Sequence, residues 1–300
     1  MRFYREKCLA ALMEQLSYWA SSIQIQKLVF LLADIQDERI YDFMPYRYGC
    51  YSMQLSQDLR NLVKSGYLMC EEDGTTHRYR IASNDLHLAK LIDKNDQTII
   101  TRIVKRFAKM PINDLIKYTY QNYPFFAINS QMAKDILSES EYAFVTRHRP
   151  HKEERTLMTI GYEGISLEKY IVVLLQNDVR VLCDVRKNAY SQKFGFSKSQ
   201  LEKACNGTGI KYIHIPNLGI ISEKRKDLRC QSDYDDLFDD YEATTLDSSR
   251  DELNYLFMLL QNHRRIALTC FEHDPLQCHR SRIAKKLMSV PQCNYTLQNL

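Results

Sequence analysis

Residues 270–280 read CFEHDPLQCHR and place two thiols, two imidazoles, two carboxylates and a guanidinium within one short stretch. A thiol beside cationic groups can act as a nucleophile, and thiols with imidazoles are the usual ligands of soft metal ions. A buried arginine needs an anionic partner, either a protein carboxylate or a bound phosphate or carboxylate. Asp274-Pro275 suits the cap and first position of a helix. At ~100° per residue, Leu276, His279, Arg280, Ile283 and Leu287 then share a face, and Cys278 points roughly opposite. His279 and Arg280 are therefore expected to lean over a site, with Cys270 as a candidate nucleophile. The run from Cys270 to Arg280 contains no glycine, unlike the tight anion loop of cysteine phosphatases. A metal site drawn from Cys270, Cys278, His279 and Cys183 is not expected. The spacing matches no standard zinc pattern and helix phase divides two of the ligands.

The elements that must position this stretch follow an alternating pattern. An apolar run at 265–269 (RIALT) precedes it and reads as a buried strand. Upstream, LMTI at 157–160, VRVLCDV at 179–185 and KYIHI at 211–215 read likewise. Helical patterns separate them, one capped by Ser166 and one by a Ser197/Gln200 capping box. Strand-helix alternation predicts a three-layer α/β domain with a mostly parallel sheet. In such sheets ligands bind at the carboxyl ends of strands. Those ends carry Tyr162 and Glu163, then Asp184, Arg186 and Asn188, then His214, then Cys270 and Glu272. Arg186 and Arg280 are expected to hold an anion, with Tyr162, Asn188, His214 and Glu272 lining the site. Glu163, Asp184, Cys270 and His279 are the candidate catalytic groups. The competing reading pairs Arg280 with Asp184 or Glu272 in purely structural ion pairs.

Residues 1–138 have a different texture. They read as helices near 4–20, 23–32, 53–64 and 98–110, with a hairpin at 67–81 turning at Asp73-Gly74. Helices followed by a hairpin predict a mainly α, winged-helix-like domain. Arg102, Lys105, Arg106 and Lys109 fall on one face of the fourth helix, a stripe that could lie along phosphates or simply face solvent. Glu71, Glu72 and Asp73 place acids at the hairpin tip, against a simple DNA wing. Residues 139–155, polar and charged, read as a linker to 156–300.

The bulk numbers are permissive. Three hundred residues suggest two domains, and a net charge of +4 is compatible with nucleic acid without arguing for it. Nine cysteines without a CxxC pair fit a reducing, cytoplasmic setting and no zinc ribbon. No membrane span and no leader peptide is read, and no cofactor is expected.

Two resemblances add to this reading. Residues 156–290 look like the family called domain of unknown function 488, through TIGYEG, CDVRKNAYSQKFGFSKSQL, KYIHIPNLG and CFEHDPLQCHRSRIA. Where that family has Arg-x-Asn-Pro, this chain has Ala189 after Asn188. The family carries no established reaction, so the resemblance implies a fold and a site location. Residues 1–138 resemble winged-helix-like domains of the Panacea antitoxin type. The matching pieces are IQKLVFLL, YDFMPYRYGCYS with SQDLRNLVKSGYL, and YTYQNYPFFAINS, with Cys50 where the family has proline. That resemblance implies a bacterial interaction module, in a stress-response or phage-defence setting. The combined expectation couples a nucleic-acid- or protein-binding half to an α/β half that recognises an anionic, nucleotide-like ligand. The alternatives are an enzyme acting on a nucleotide or base in the same pocket, and a non-catalytic interaction protein.

Overall fold

The computed structural model describes residues 1–300 except 75, 84–86, 226–227 and 292–293. The chain forms two compact units, Met1–Arg149 and Pro150–Leu300.

The first unit is mainly helical. Its elements are α1 (Tyr4–Leu16), β1 (Ala20–Ser21), α2 (Ser22–Ile35), β2 (Met44–Tyr46), β3 (Gly49–Tyr51), α3 (Met53–Lys64), β4 (Leu68–Asp73) and β5 (Thr76–Ile81). They continue with α4 (Lys94–Phe107), α5 (Ile112–Asn122), α6 (Ala133–Ile136) and α7 (Glu139–Arg147). Side chains cap several of them: Ser21 accepts from the Gln24 N–H, Ser52 from Leu55 and Asp93 from Asp96. The apolar faces of α1, α2, α3 and α4 close over one core containing Leu9, Leu28, Leu59 and Ile100. Strands β1, β5 and β4 form an antiparallel sheet, with Asp73 opposite Thr76 across the expected turn. Thr75 of that turn, and the side chain of Asp73, lie outside the described residues. The aromatic loop becomes the small hairpin β2–β3, held from below by Lys27. The Lys27 ammonium is buried and donates to the Tyr48 carbonyl at 2.6 Å.

The expected linker 139–155 is corrected in its first half. Residues 139–147 are α7, whose start is a capping box between Ser138 and Glu141, and Val145 is buried beside Tyr120 and Leu137.

The second unit alternates as expected: β6 (Thr156–Gly161), α8 (Leu167–Gln176), β7 (Val181–Asp184), α9 (Lys198–Thr208), β8 (Lys211–His214), α10 (Gln231–Tyr241), α11 (Arg250–His263), β9 (Arg265–Cys270), α12 (Arg280–Met288) and β10 (Thr296–Asn299). The sheet order is β10-β6-β9-β7-β8 and all these pairings are parallel. Every residue of β6, β7 and β9 is buried, which is what helices on both faces produce. On one face Leu157, Val181, Cys183, Ile266 and Leu268 pack with Leu256, Leu260, Ile283 and Leu287 of α11 and α12. On the other, the Tyr170 hydroxyl of α8 donates to Thr269 Oγ1 at 2.7 Å. Strand β10 was not anticipated; its TLQN is wholly exposed and carries no apolar signal. Among the described residues, no helix is long and apolar enough to cross a membrane.

Candidate functional site

Register brings the strand ends together. Gly161 of β6 lies opposite Cys270 of β9, while Asp184 of β7 lies opposite both Thr269 of β9 and His214 of β8. One rim therefore receives Tyr162, Glu163, Asp184, Arg186, His214, Cys270 and Glu272. Two glycines let the rim loops close. A Cβ on Gly161 would sit 1.8 Å from the Glu272 carbonyl oxygen, and one on Gly219 would sit 2.0 Å from the Lys187 nitrogen.

The rim sorts into two clusters. The first is centred on Asp184, fully buried, and Arg186, 6% exposed. Asp184 Oδ1 accepts from Arg186 Nε at 2.8 Å and from the Arg186 backbone N–H at 3.1 Å. Its Oδ2 accepts from Arg186 Nη2 and from the Tyr212 hydroxyl at 2.7 Å. Arg186 Nη1 donates to the Tyr162 hydroxyl at 2.7 Å and to the Phe196 carbonyl at 2.9 Å. The Tyr162 ring stacks on Phe196 with centroids 4.3 Å apart. His214 Nε2 donates to the Arg186 carbonyl at 2.8 Å. Burial opposes the Arg186 charge, but Asp184 outweighs it and holds the guanidinium above its ordinary pKa. Burial, with Asp184 next, pushes the Tyr212 hydroxyl up. The guanidinium expected to hold a ligand is thus engaged by a protein carboxylate, and both charges find partners inside the fold.

The second cluster is the 270–280 stretch itself. Residues 275–277 form a 3-10 turn, Cys278 has extended backbone (φ −136°, ψ 132°), and α12 begins only at Arg280. The helix phase counted from Asp274 therefore does not apply, and the expectation that Cys278 turns away is corrected: Cys278 is 1% exposed and points inward with His279. The Sγ atoms of Cys270 and Cys278 lie 3.7 and 4.0 Å from His279 Nδ1, and the three ligand-type atoms lie within 4.8 Å of one another. The Cys270 thiol points at Glu272 Oε2, 3.3 Å away. The far carboxylate oxygen of Glu272 accepts from Arg225. His279 Nε2 donates to the Val185 carbonyl at 3.0 Å, so Nδ1 faces the sulfurs.

Electrostatics polarise the two thiols in opposite directions. The hydrogen bond from Cys278, aided by the positive His279 and Arg225, holds the Cys270 thiol well below its ordinary pKa against the effect of burial. Burial, and then the adjacent Cys270, push the Cys278 thiol well above its own. Burial and Cys270 likewise raise Glu272. Burial works against the imidazolium of His279, yet the Cys270 thiolate overrides it and raises the pKa.

The remaining candidates hold the loops. Arg280 donates from Nη1 to the Glu272 carbonyl at 2.6 Å and from Nη2 to the His273 carbonyl at 3.0 Å, leaving Nε buried and unpaired. Glu163 accepts from the His273 backbone N–H at 3.0 Å, and exposed Asn188 accepts from Tyr190 N–H at 3.1 Å. Neither of these bonds involves the thiols.

Residues 166–287 match the family model described as Domain of unknown function DUF488. The matched span takes in Asp184, Arg186, His214, Arg225 and the whole second cluster, while Tyr162 and Glu163 precede it. Among curated proteins, none matches the chain. Within this span the sequence reading missed Arg225, which sits in a basic run, KRKDLR, with no site signal of its own. Lys226 and Asp227 of that run lie outside the described residues. It also missed Tyr241, whose ring meets His279 edge-on at 5.7 Å. Neither had a local signal, because the helix that carries Tyr241 reads as an acidic segment, DYDDLFDDYE.

In the first unit, Arg102, Lys105 and Arg106 are exposed on α4; Lys109, expected on the same helix, is exposed in the turn that follows, because α4 ends at Phe107. The helix starts at Lys94, a turn before the expected position, because Asp93 caps it. Lys94, Arg102, Lys105 and Arg106, with Gln97, Thr98 and Thr101, line an open groove of about 890 Å³. Arg106 also lies over the rings of Phe107 and Tyr118.

Proposed function

We propose that the first unit docks a nucleic-acid backbone along α4, and that the α/β unit is the regulatory partner of this docking module. The observation that carries the reading is the composition of the α4 groove: four cations, three neutral side chains and no carboxylate. None of the four cations forms an ion pair among the described residues. Cations at i, i+3 and i+4 stand about 5–6 Å apart on a helix, a spacing suited to successive phosphates. The resemblance of residues 1–138 to winged-helix-like antitoxin domains agrees with an interaction role, and a bacterial stress or defence setting follows from that analogy alone. Acids at the tip of the β4–β5 hairpin argue that the helix, not the hairpin, meets the phosphates: Glu71 and Glu72 are exposed there, Glu71 lying 3.5 Å from Arg78.

The small-ligand role of the α/β unit is narrowed in this reading. Arg186 is committed to Asp184 and Arg280 to backbone carbonyls, so an anion would have to meet Arg280 through Nε. The enzyme alternative sets Cys270 as nucleophile beside His279, but Cys270 is 1% exposed and shielded from a substrate.

Fluorescence anisotropy with labelled double-stranded DNA, single-stranded DNA and RNA tests the docking reading. Binding is expected to weaken linearly in log–log with salt, and the triple variant R102E/K105E/R106E is expected to lower that slope by about 3. No binding to any of the three at low salt, or binding that the triple variant leaves unchanged, overturns it.

A further inference from the structure

We propose that Cys270, Cys278 and His279, completed by Glu272, form a tetrahedral binding site for a thiophilic divalent cation, zinc foremost. Zinc binds thiolate sulfur at about 2.3 Å and imidazole nitrogen at about 2.0–2.1 Å in tetrahedral geometry. Those bond lengths put neighbouring sulfur and nitrogen ligands about 3.5–3.6 Å apart, as edges of the tetrahedron. The observed sulfur–nitrogen separations are 3.7 and 4.0 Å. The carboxylate edge fits as well, with Glu272 Oε2 3.3 Å from Cys270 Sγ. The three atoms of Cys270, Cys278 and His279 already lie within 4.8 Å of one another, and Glu272 reaches the group from the Cys270 side.

The surroundings have the form of a metal site's outer shell. A ligating histidine ordinarily donates its other ring N–H to a carbonyl or carboxylate, which fixes the tautomer and aims the free nitrogen at the metal. His279 does this through the Val185 carbonyl at 3.0 Å. Two thiolates, one carboxylate and a neutral imidazole around a divalent ion leave one surplus negative charge. Arg225, ion-paired with the outer oxygen of Glu272, supplies the compensation. Arg280 ties down the carbonyls of Glu272 and His273, and Gly161 permits the loop to lie directly against β6.

The chain contains its own contrast. Cys183 and Cys205 are buried completely, and burial pushes both thiols up, to about 12 for Cys183. Among the described residues, neither belongs to a group of three ligand-type side chains. They are the ordinary case of cysteine as a small core residue. Cys270 and Cys278 differ because a turn of eight residues delivers both thiols and an oriented imidazole to one point.

The test uses the full-length protein, reduced and freed of metal, titrated with Co²⁺ and followed by absorption. One equivalent is expected, with thiolate-to-cobalt charge-transfer bands, intense tetrahedral visible bands, and displacement by Zn²⁺. Cys278→Ser should weaken binding more than a hundred-fold, roughly, and reduce the charge-transfer intensity. Glu272→Gln should keep the stoichiometry and weaken binding by about 10–100-fold, the range for loss of a supporting or weak ligand. Cys70→Ser, at an exposed cysteine of β4, should change nothing. Failure of the reduced wild-type chain to take up Co²⁺ overturns the proposal. So does a weak octahedral spectrum, or a spectrum indifferent to Cys278→Ser. A Cys270–Cys278 disulfide that, once reduced, leaves a folded chain without cobalt uptake also overturns it. If Cys278→Ser does not fold, the wild-type spectrum alone decides.

Discussion

Two clusters share the rim of the parallel sheet and follow opposite rules. Around Asp184 and Arg186, opposite charges meet directly, and the carboxylate accepts from Arg186 and Tyr212. Around Cys270, Cys278 and His279, three groups that favour the same kind of partner are held together with their ligand atoms facing one another. The first arrangement is complete as it stands and fixes the ends of β6, β7 and β8. The second gathers ligand-type atoms that a single cation between them would satisfy together. The difference teaches that a polar strand end is not itself evidence of a site. What distinguishes a site is donors or acceptors gathered without their complement.

The largest expected effect breaks the first cluster. Asp184→Asn leaves the Arg186 cation buried beside a neutral amide, which should cost about 3–5 kcal/mol, the usual result of removing one partner of a buried pair. Hydrogen exchange read by mass spectrometry should show the loss across β6, β7 and β8. An effect under ~1 kcal/mol would mean that water reaches the pair and that its closure is overstated.

Removing metal probes the second cluster and should rank next. At a free cation concentration a hundred times the dissociation constant, bound metal stabilises the fold by about 2.7 kcal/mol. A strong chelator should therefore lower the melting temperature of the wild type, while Cys278→Ser should melt identically with and without it. Equal chelator responses from both chains would place the metal elsewhere.

Gly161→Ala tests whether the two clusters depend on the same loop seat. Its Cβ would collide with the Glu272 carbonyl, and overpacking of this kind costs about 1–3 kcal/mol. The displaced Glu272 should also weaken cobalt affinity, whereas the Asp184–Arg186 contacts, at the end of β7 and separated from β6 by β9, should persist. The smallest effect on stability belongs to the α4 reversal R102E/K105E/R106E, expected within about 0.5 kcal/mol because these side chains are exposed. Chemical denaturation should overlay that of the wild type even though nucleic-acid binding is lost.

Much of the architecture was legible. Continuous apolar runs marked β6, β7, β8 and β9, and Ser166 and Ser197 marked the starts of α8 and α9, because these signals are local and repeated along the chain. Strand β10 was hidden because an exposed edge strand needs no apolar face. Helix α7 was read as linker although Ser138 and Glu141 carry a capping box, since its buried surface is little more than Val145. The site was legible in membership but not in arrangement. Cys270, Glu272 and His279 were named from composition. Cys278 was turned away by a helix phase that the 3-10 turn at Pro275–Gln277 interrupts, and one interrupted turn rotates every later side chain.

By itself the sequence determined the strand-helix alternation, the parallel sheet and the rim where polar groups gather. These follow from hydrophobic period and capping, which act between near neighbours. Only the tertiary structure decided which polar groups neutralise one another and which are left gathered without a complement. Asp184 finds Arg186 and Tyr212, Glu272 finds Arg225 forty-seven residues away in sequence, and His279 finds the Val185 carbonyl. Such pairings depend on strand register and loop closure. They are settled by the whole fold, because the cost of burying a charge depends on everything packed around it.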